Sequence, residues 1–489
     1  MTRRRGSEPA TAKTFRERVL EGGAYLVVRR ALSMVLQLAG LTLVTRVVGP
    51  EAYGVFQVSL GIAGYLGAIS LGNIDVYLLR ERRDAPRSLF DLAFWWMLIV
   101  GLATTSVACL LVIAGQGVWN QASQFTTVAI LVCAAVPLSV TRFVPQAIIE
   151  RELDYRRTAF IDLASHVMYY VVAIPLAQLG YGVWALVGAH WVSVLTAAGG
   201  FFWAARYYPR WYWNWAEWRE MARFGAMLSI YNWIYELRNL APSVILLPLA
   251  GERAVGYLAL AQRFLAVLSF VPAAAGRIAV PAIARIQDDA ERLKRVVRES
   301  AQLQTLALGI VLAGFAALAP FVLPLLLGNR WEIPTLMLVF GLAATQLQIF
   351  VLFTIQGYAI TARKHLWVPL RAVIVHILIF FGLAFASAKY LPQEYKLIGY
   401  LIANIVAHLA NHAIHHYYFQ RLIGRVTLGI APVWTVAMLC ALFAPAFSGW
   451  LYLPAALLLL NPYSLREIRA IMALFRRGQR PSEHSTGSV

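Results

Sequence analysis

From about residue 23 to residue 462 the chain alternates apolar runs of roughly 15 to 29 residues with short polar connections. A helix rises 1.5 Å per residue, so about 20 apolar residues cross a hydrocarbon core of about 30 Å. The pattern predicts fourteen spans, at 23–48, 54–79, 90–115, 122–148, 159–178, 180–205, 224–249, 255–283, 301–327, 333–359, 367–388, 396–419, 427–446 and 448–462. Only the last is short for a crossing. The implied fold class is all-α, a polytopic membrane protein of about 14 transmembrane helices.

Polar residues inside the spans fall on helical faces, and the faces select candidates. In YLVVRRALSMVLQLAGLTLVTRVVGPEAYG (residues 25–54), Arg30, Ser33 and Gln37 share a stripe at i, i+3 and i+7. Arg29 lies about 100° around the helix from Arg30, and Arg46 sits near the far end on nearly the opposite face. Arg29 and Arg30 are roughly 10 Å from the near end, so snorkelling to headgroups competes with a cavity role, and for Arg46 it is the favoured reading. Span seven holds Glu236 and Arg238 near its middle, where snorkelling has to cover roughly 15 to 18 Å. Charges that deep mark a wet cavity or a charged ligand, with pairing to neighbouring helices as the structural alternative. Ser229, Asn232, Glu236, Asn239 and Ser243 form one polar stripe, and Arg238 lies with Tyr231 and Tyr235. Span eight carries Arg263 and Arg277 on one face, about 21 Å apart along the axis. In span two Asp75 shares a face with Gln57, Gly61, Gly64 and Ala68, small residues that suit a close helix seam with Asp75 as counter-ion.

Composition agrees, with 60% hydrophobic and 14% charged residues. The formal charge of +19 is accounted for by topology rather than by nucleic acid. With a cytoplasmic N-terminus, 32 of the 43 basic residues fall on the cytoplasmic side, and only Arg46, Arg253, Arg330, Lys389 and Lys396 on the other. That asymmetry predicts both termini inside. Cys109, Cys133 and Cys440 lie within apolar runs, which points to packing rather than disulfides or a thiolate zinc site. The basic stretch MTRRRGSEPATAKTFRER is not followed by the short apolar core and cleavage site of a signal peptide, so the first span is expected to remain.

GPEAYGVFQVS (Gly49 to Ser59) recurs as GERAVGYLALA (Gly251 to Ala261), and Arg83-Asp84 recurs near Arg285 to Asp288. The shared offset of about 202 residues predicts two parallel-repeat lobes of six helices each. The expected organisation is a basic cytoplasmic tail at 1–20, an N-lobe at 21–206, an interfacial linker at 207–223, a C-lobe at 224–420, and helices 13 and 14 with a basic tail at 421–489. The linker, RYYPRWYWNWAEWREMARFG, has the Trp, Tyr and Arg content of a segment lying in the headgroup layer, a reading preferred over a sugar-stacking platform.

The stretches TRVVGPEAYGVFQVSLGI, GYGVWALVGAHWVS, ARFGAMLSI, LAGERAVGYLALAQRF, VPAIARIQDDAERL and LLLGNRWEIP occur in this order over most of the chain. Together they resemble the polysaccharide or oligosaccharide flippases of the Wzx, O-antigen type, in the superfamily that also holds the multidrug exporters and the lipid II flippase. The resemblance implies twelve to fourteen helices in two lobes, the bacterial cytoplasmic membrane, and alternating access for undecaprenyl-diphosphate-linked oligosaccharides in O-antigen, capsule or exopolysaccharide synthesis. It implies no cofactor and no enzymatic step. Its partners would be the polyprenyl-diphosphate-linked oligosaccharide, membrane lipids, and a polysaccharide polymerase with chain-length machinery. One departure is that Ala241-Pro242 stands where relatives often carry an acid before the second glycine turn.

A diphosphate suits arginine, whose planar fork donates paired hydrogen bonds to phosphate oxygens. Arg30, Arg238, Arg263 and Arg277, with Arg29, are therefore the candidate diphosphate contacts. Ser33, Gln37, Asn232 and Asn239 are candidate polar cavity residues, and Glu236 and Asp75 candidate coupling or counter-ion groups. Since 38 of the 43 basic residues are Arg, position carries this argument rather than residue type. No GxxxxGK[ST] occurs, which excludes a P-loop pump. His408, His412, His415 and His416 have metal-like spacing without accompanying acids, so no metal is expected. Asp162 and His166 are expected to share a structural hydrogen bond. The alternative function is an ion-coupled multidrug exporter, which should line its cavity with carboxylates and aromatics. A membrane glycosyltransferase needs outer-loop carboxylates, and those loops offer only Glu51, Glu252, Glu332 and Glu394.

Overall fold

The computed structural model describes residues 39–81, 85–119, 124–270 and 283–466, together with 272, 276 and 279. Every regular element among them is helical. In chain order these are α1 (Ala39–Val48), α2 (Pro50–Leu71), α3 (Ile74–Arg80), α4 (Arg87–Ala114), α5 (Phe125–Arg151), α6 (Tyr155–Gln178), α7 (Val183–Ala205) and α8 (Trp215–Glu236). They continue with α9 (Glu252–Leu268), α10 (Ala290–Leu327), α11 (Ile333–Ala362), α12 (Trp367–Tyr390), α13 (Lys396–Leu422), α14 (Ala431–Phe443) and α15 (Leu453–Leu460). Nine of the described helices are long and apolar enough to cross a membrane, and shorter apolar helices accompany them. This is a multi-pass membrane protein.

Four elements depart from the expected spans. Span two stops at Leu71, because Gly72 and Asn73 both take positive φ (52° and 54°) and turn the chain into α3. Asp75 therefore starts a new helix, and the face count that aligned it with Gln57, Gly61, Gly64 and Ala68 does not carry across the turn. Helix α8 begins at Trp215, inside the expected linker, and ends at Glu236, before the end of the expected span. Helix α10 runs for 38 residues, about 57 Å at 1.5 Å per residue, so its basic first turns extend beyond a core of about 30 Å. The Asp289 carboxylate caps it by accepting from the Arg292 backbone N–H at 3.0 Å. The last apolar helix, α15, has only eight residues.

Chain contacts group the protein into two compact units, Met1–Val44 with Leu66–Ala114 and Thr127–Ile230, and Thr45–Tyr65 with Gly115–Thr126 and Tyr231–Val489. In the first unit α6 packs along α7, and α4 packs on the middle of α5. The aromatic segment after α7 is fastened to α4. Buried Asp91 accepts from the Tyr207 hydroxyl at 2.8 Å and from the Arg210 backbone N–H at 3.2 Å, and the Trp95 indole donates to the Arg210 carbonyl at 2.9 Å.

The second unit contains both copies of the glycine turn, and they meet. A Cβ on Gly54 of α2 would collide with the carbonyl oxygen of Glu252, and one on Gly256 of α9 with the carbonyl oxygen of Pro50. Positions 50 and 252, like 54 and 256, are related by the repeat offset, so the contact is reciprocal, as across a two-fold interface. Trp331 packs over this seam. Its indole donates to the Thr45 carbonyl at 2.9 Å, and its ring meets Tyr53 and Tyr257 edge-on at 6.3 and 5.4 Å. Burial, and secondarily Glu51, raises the Glu252 carboxyl above its usual range. Arg46 sits beside the same seam, exposed, with its guanidinium donating to the Leu325 carbonyl at 3.4 Å in the last turn of α10, where a cation complements the helix dipole.

Candidate functional site

A cavity of about 750 Å³ lies within the second unit. Its walls come from α2, α9, α11, α12, α13, the end of α8 and the irregular segment after it. That segment explains how charged groups face inward. After Glu236 the helix tightens to a 3₁₀ turn (Leu237–Leu240) and then widens to a π turn (Pro242–Leu246). Pro242 has no N–H to continue the helical ladder, and such changes of helical pitch recur at functional sites. Gly61 of α2 allows the close approach, since a Cβ there would stand 3.0 Å from the Asn239 carbonyl oxygen. The buried Ser243 hydroxyl donates to the Val58 carbonyl at 3.3 Å, fastening the same two segments.

Four sequence candidates line the cavity together: Glu236, Arg238, Asn239 and Arg263. The Arg238 guanidinium lies 3.7 Å from the centroid of the Tyr235 ring, and Tyr235 stacks on Tyr231 at 6.1 Å with planes 10° apart. Stacking fixes the plane of the guanidinium while its N–H edge stays available. Among the described residues no carboxylate pairs with Arg238 at salt-bridge distance. Glu236 instead accepts a hydrogen bond from the Asn239 side-chain amide.

Other candidates lie elsewhere. Asn232 is exposed on α8, one turn before Glu236, and is absent from the cavity lining. Asp75 belongs to the first unit, with Oδ1 buried and without a hydrogen-bond partner among the described residues. Arg29, Arg30, Ser33, Gln37 and Arg277 lie outside the described residues. Arg142, a further arginine within a span, faces Asp162 at 3.8 Å. His166 bonds the Asp162 backbone carbonyl at 2.7 Å rather than its carboxylate.

Charge counting missed the neutral members of the wall, Gln262, Gln346, Tyr400 and Asn404. Amides inside apolar runs such as AATQLQIF and LIANIV were the available signal. The wall thus offers two cations, one carboxylate and several amides, a set suited to an anionic group carrying hydroxyls. No group of three or more His, Cys, Asp or Glu side chains among the described residues is arranged to hold a metal.

Comparison with known proteins gives relatives of one kind. Succinoglycan biosynthesis transport protein ExoT of Rhizobium meliloti (strain 1021) is 26% identical over 307 residues, covering 60% of this chain and 60% of the relative. Lipopolysaccharide biosynthesis protein WzxC of Escherichia coli (strain K12) is 23% identical over 338 residues, covering 66% and 67%. Among solved structures, lipid II flippase MurJ in an inward closed conformation superposes with a TM-score of 0.66 at 11% identity, covering 92% of this chain and 98% of that one. An inward-facing multidrug resistance MATE family transporter gives 0.56 at 17% identity, covering 81% and 98%. At these identities the structural likeness is one of fold. The family model described as polysaccharide biosynthesis protein matches residues 43–334. That segment is more than half of the chain, and the chain belongs to the polysaccharide biosynthesis protein family.

Proposed function

We propose that this protein is a flippase that moves polyprenyl-diphosphate-linked oligosaccharides across the bacterial cytoplasmic membrane, without covalent chemistry. The observation that carries the reading is the cavity wall, where Arg238 is held flat on Tyr235 with Arg263 and several amides around the same space. Arg238 and Arg263 take the diphosphate, with Arg29, Arg30 and Arg277 as further stations. Asn239, Gln262, Gln346 and Asn404 meet the sugar hydroxyls. Both termini lie in the cytoplasm, the two six-helix lobes repeat in parallel, and a polymerase with chain-length machinery consumes the product. The names of the relatives, a succinoglycan transport protein and a lipopolysaccharide biosynthesis protein, support the substrate class.

On this reading alternating access works through the seam beside the cavity. Gly54 and Gly256 let α2 and α9 touch backbone to backbone, so that route is closed while they meet and opens when they part. The test is transfer of a fluorescent polyprenyl-diphosphate sugar in vesicles containing the purified protein. Transfer that drops on Arg238→Ala and Arg263→Ala supports the reading. Undiminished transfer in both variants refutes the diphosphate assignment, and preferential movement of a cationic dye would favour a multidrug exporter.

A further inference from the structure

Next to the cavity wall, α11, α12 and α13 enclose a polar feature that phosphate recognition does not use. It begins at Asn404, a lining residue, whose side-chain amide donates to Gln346 Oε1 at 2.7 Å. Gln346 Nε2 lies 2.8 Å from His408 Nε2, and His408 Nδ1 lies 3.0 Å from the Asn404 carbonyl oxygen. An amide N–H can only donate and a carbonyl can only accept, so His408 is neutral, with its proton on Nδ1. The His376 ring sits edge-on to His408 at 4.3 Å; among the described residues neither of its nitrogens makes a well-formed hydrogen bond, and the backbone of Ala407 is the polar group that acts on the ring. His412 follows at 6.3 Å, stacked on Phe353 at 5.3 Å, with Nε2 unpartnered. His416 touches the same Phe353 ring at 5.8 Å, donates from Nδ1 to Gln356 Oε1 at 3.1 Å and accepts from Gln420 at 2.7 Å. Gln420 is exposed. From Asn404 to Gln420 this polar series runs about 24 Å along α13.

The side chains of His376, His408 and His412 are buried, at 2%, 7% and 6% exposure. Burying imidazole nitrogens without partners is costly unless they have a use. The facing groups narrow that use. Helix α11 contributes Gln346, Gln356 and the Phe350 and Phe353 rings, α12 contributes His376 and Phe380, and α13 adds Tyr400, Asn404, Asn411, His415 and His416. Towards the end near Gln420, Arg371 bonds the Tyr418 hydroxyl at 3.4 Å. No carboxylate acts on the cluster among the described residues. The link to the cavity is through Asn404 and Gln346, which line the same wall as Arg238 and hold His408.

We propose that His376, His408 and His412 form a proton-binding site, reached from the cytoplasmic end through His416 and Gln420, whose occupancy is linked to that of the substrate cavity. The step is a proton joining the lone pair of a neutral imidazole nitrogen and leaving again, with no other bond made or broken. A ligand on the cavity wall engages the Asn404 and Gln346 amides that hold His408 neutral, so each occupant alters the affinity for the other, reciprocally. The linkage rests on the proposed transport of an anionic lipid; the proton site does not.

The test uses the full chain in two measurements. In vesicles, the probe is a short polyprenyl-diphosphate carrying one labelled sugar, with a pH-sensitive dye trapped inside. A step of about two pH units accelerates probe transfer about tenfold in the wild-type protein, a coupling of ordinary size, and adding probe starts a proton flux. His376→Gln and His408→Gln keep an amide for hydrogen bonding but cannot take a proton. They retain transfer at equal pH and lose both the acceleration and the flux, whereas a merely structural role is rescued by Gln and leaves them intact. An undiminished pH response in both variants overturns the proposal. The second measurement is proton uptake by weakly buffered purified protein on a drop from pH 7 to about pH 3.5. His376→Gln/His408→Gln/His412→Gln takes up at least about one proton fewer per chain, or His412→Gln alone does so by a fraction if the triple variant does not fold; equal uptake overturns the site. Wild-type protein that shows the extra uptake yet moves no probe keeps the site and loses the flippase reading.

Discussion

Arg142 and Arg238 are both arginines inside apolar runs, and the two units use them differently. Arg142, in the first unit, faces Asp162 at 3.8 Å and lies over the rings of Phe143 and Phe201 at 4.9 and 5.6 Å. Its positive charge already has a partner, and the rings occupy its flat face. Arg238, in the second unit, has one ring beneath it and no carboxylate paired with it among the described residues, at the edge of a cavity of about 750 Å³. A membrane-embedded cation is stabilised by a counter-charge, by water or by a ligand. Arg142 carries its answer within the fold, whereas Arg238 is open to an answer from outside, the difference on which its proposed binding role rests.

The largest expected effect is on Arg238. Hydrogen bonds to charged groups contribute about 1.5 to 3 kcal/mol each, so Arg238→Ala should weaken probe binding roughly 10- to 100-fold with little change in the thermal midpoint. Binding to detergent-solubilised protein, alongside a melting curve, checks both halves. A variant that melts early and binds normally would place Arg238 with the structural arginines.

Arg142→Ala should do the reverse. Removing one partner of a buried pair costs about 3 to 5 kcal/mol, but both side chains here are 24% exposed and 3.8 Å apart, so we expect about 2 kcal/mol. The melting temperature falls, and transport per folded molecule is unchanged. A large loss of transport at normal stability would contradict the contrast.

How far this contrast was legible in the sequence depends on what sets it. The helical fold and the glycine repeat were readable, because a membrane forces long apolar runs and Gly54 and Gly256 recur at a fixed offset. That Arg238 lies with Tyr235 was also readable, from spacing within one turn. The partner of Arg142 was not, because Asp162 is on a different helix and helical spacing says nothing about neighbours. The face drawn through Asp75 failed for a related reason. Counting faces assumes constant pitch, and the pitch breaks at Gly72-Asn73 and after Glu236. The amides of the wall and His376 escaped a search that followed charge, and His408 and His412, singled out for their spacing, could not be joined to them, since neutral polar groups become informative only once their partners are known.

A smaller effect isolates the platform under Arg238. Tyr235→Leu removes a cation–π contact of about 0.5 to 2 kcal/mol and frees the guanidinium to sample other orientations. Probe affinity should fall by about three- to tenfold, less than for Arg238→Ala, and the loss should largely vanish when Arg238 is already Ala. Independent, additive losses in that double-mutant cycle would mean that Tyr235 contacts the ligand itself rather than orienting Arg238.

The smallest expected effect is the most demanding of the comparison. If Arg142 matters only because Asp162 faces it, replacing both by apolar residues of similar size removes the unpaired charge along with the pair, and such replacements are often neutral or stabilising. Arg142→Met/Asp162→Leu should therefore recover most of the stability lost in Arg142→Ala and transport at the wild-type rate. On the proposed reading no equivalent repair exists for Arg238, because its counter-charge would arrive with the substrate and leave with it. A double variant that melts normally but no longer transports would show that Arg142 also works on the ligand, and the line between the two arginines would have to be redrawn.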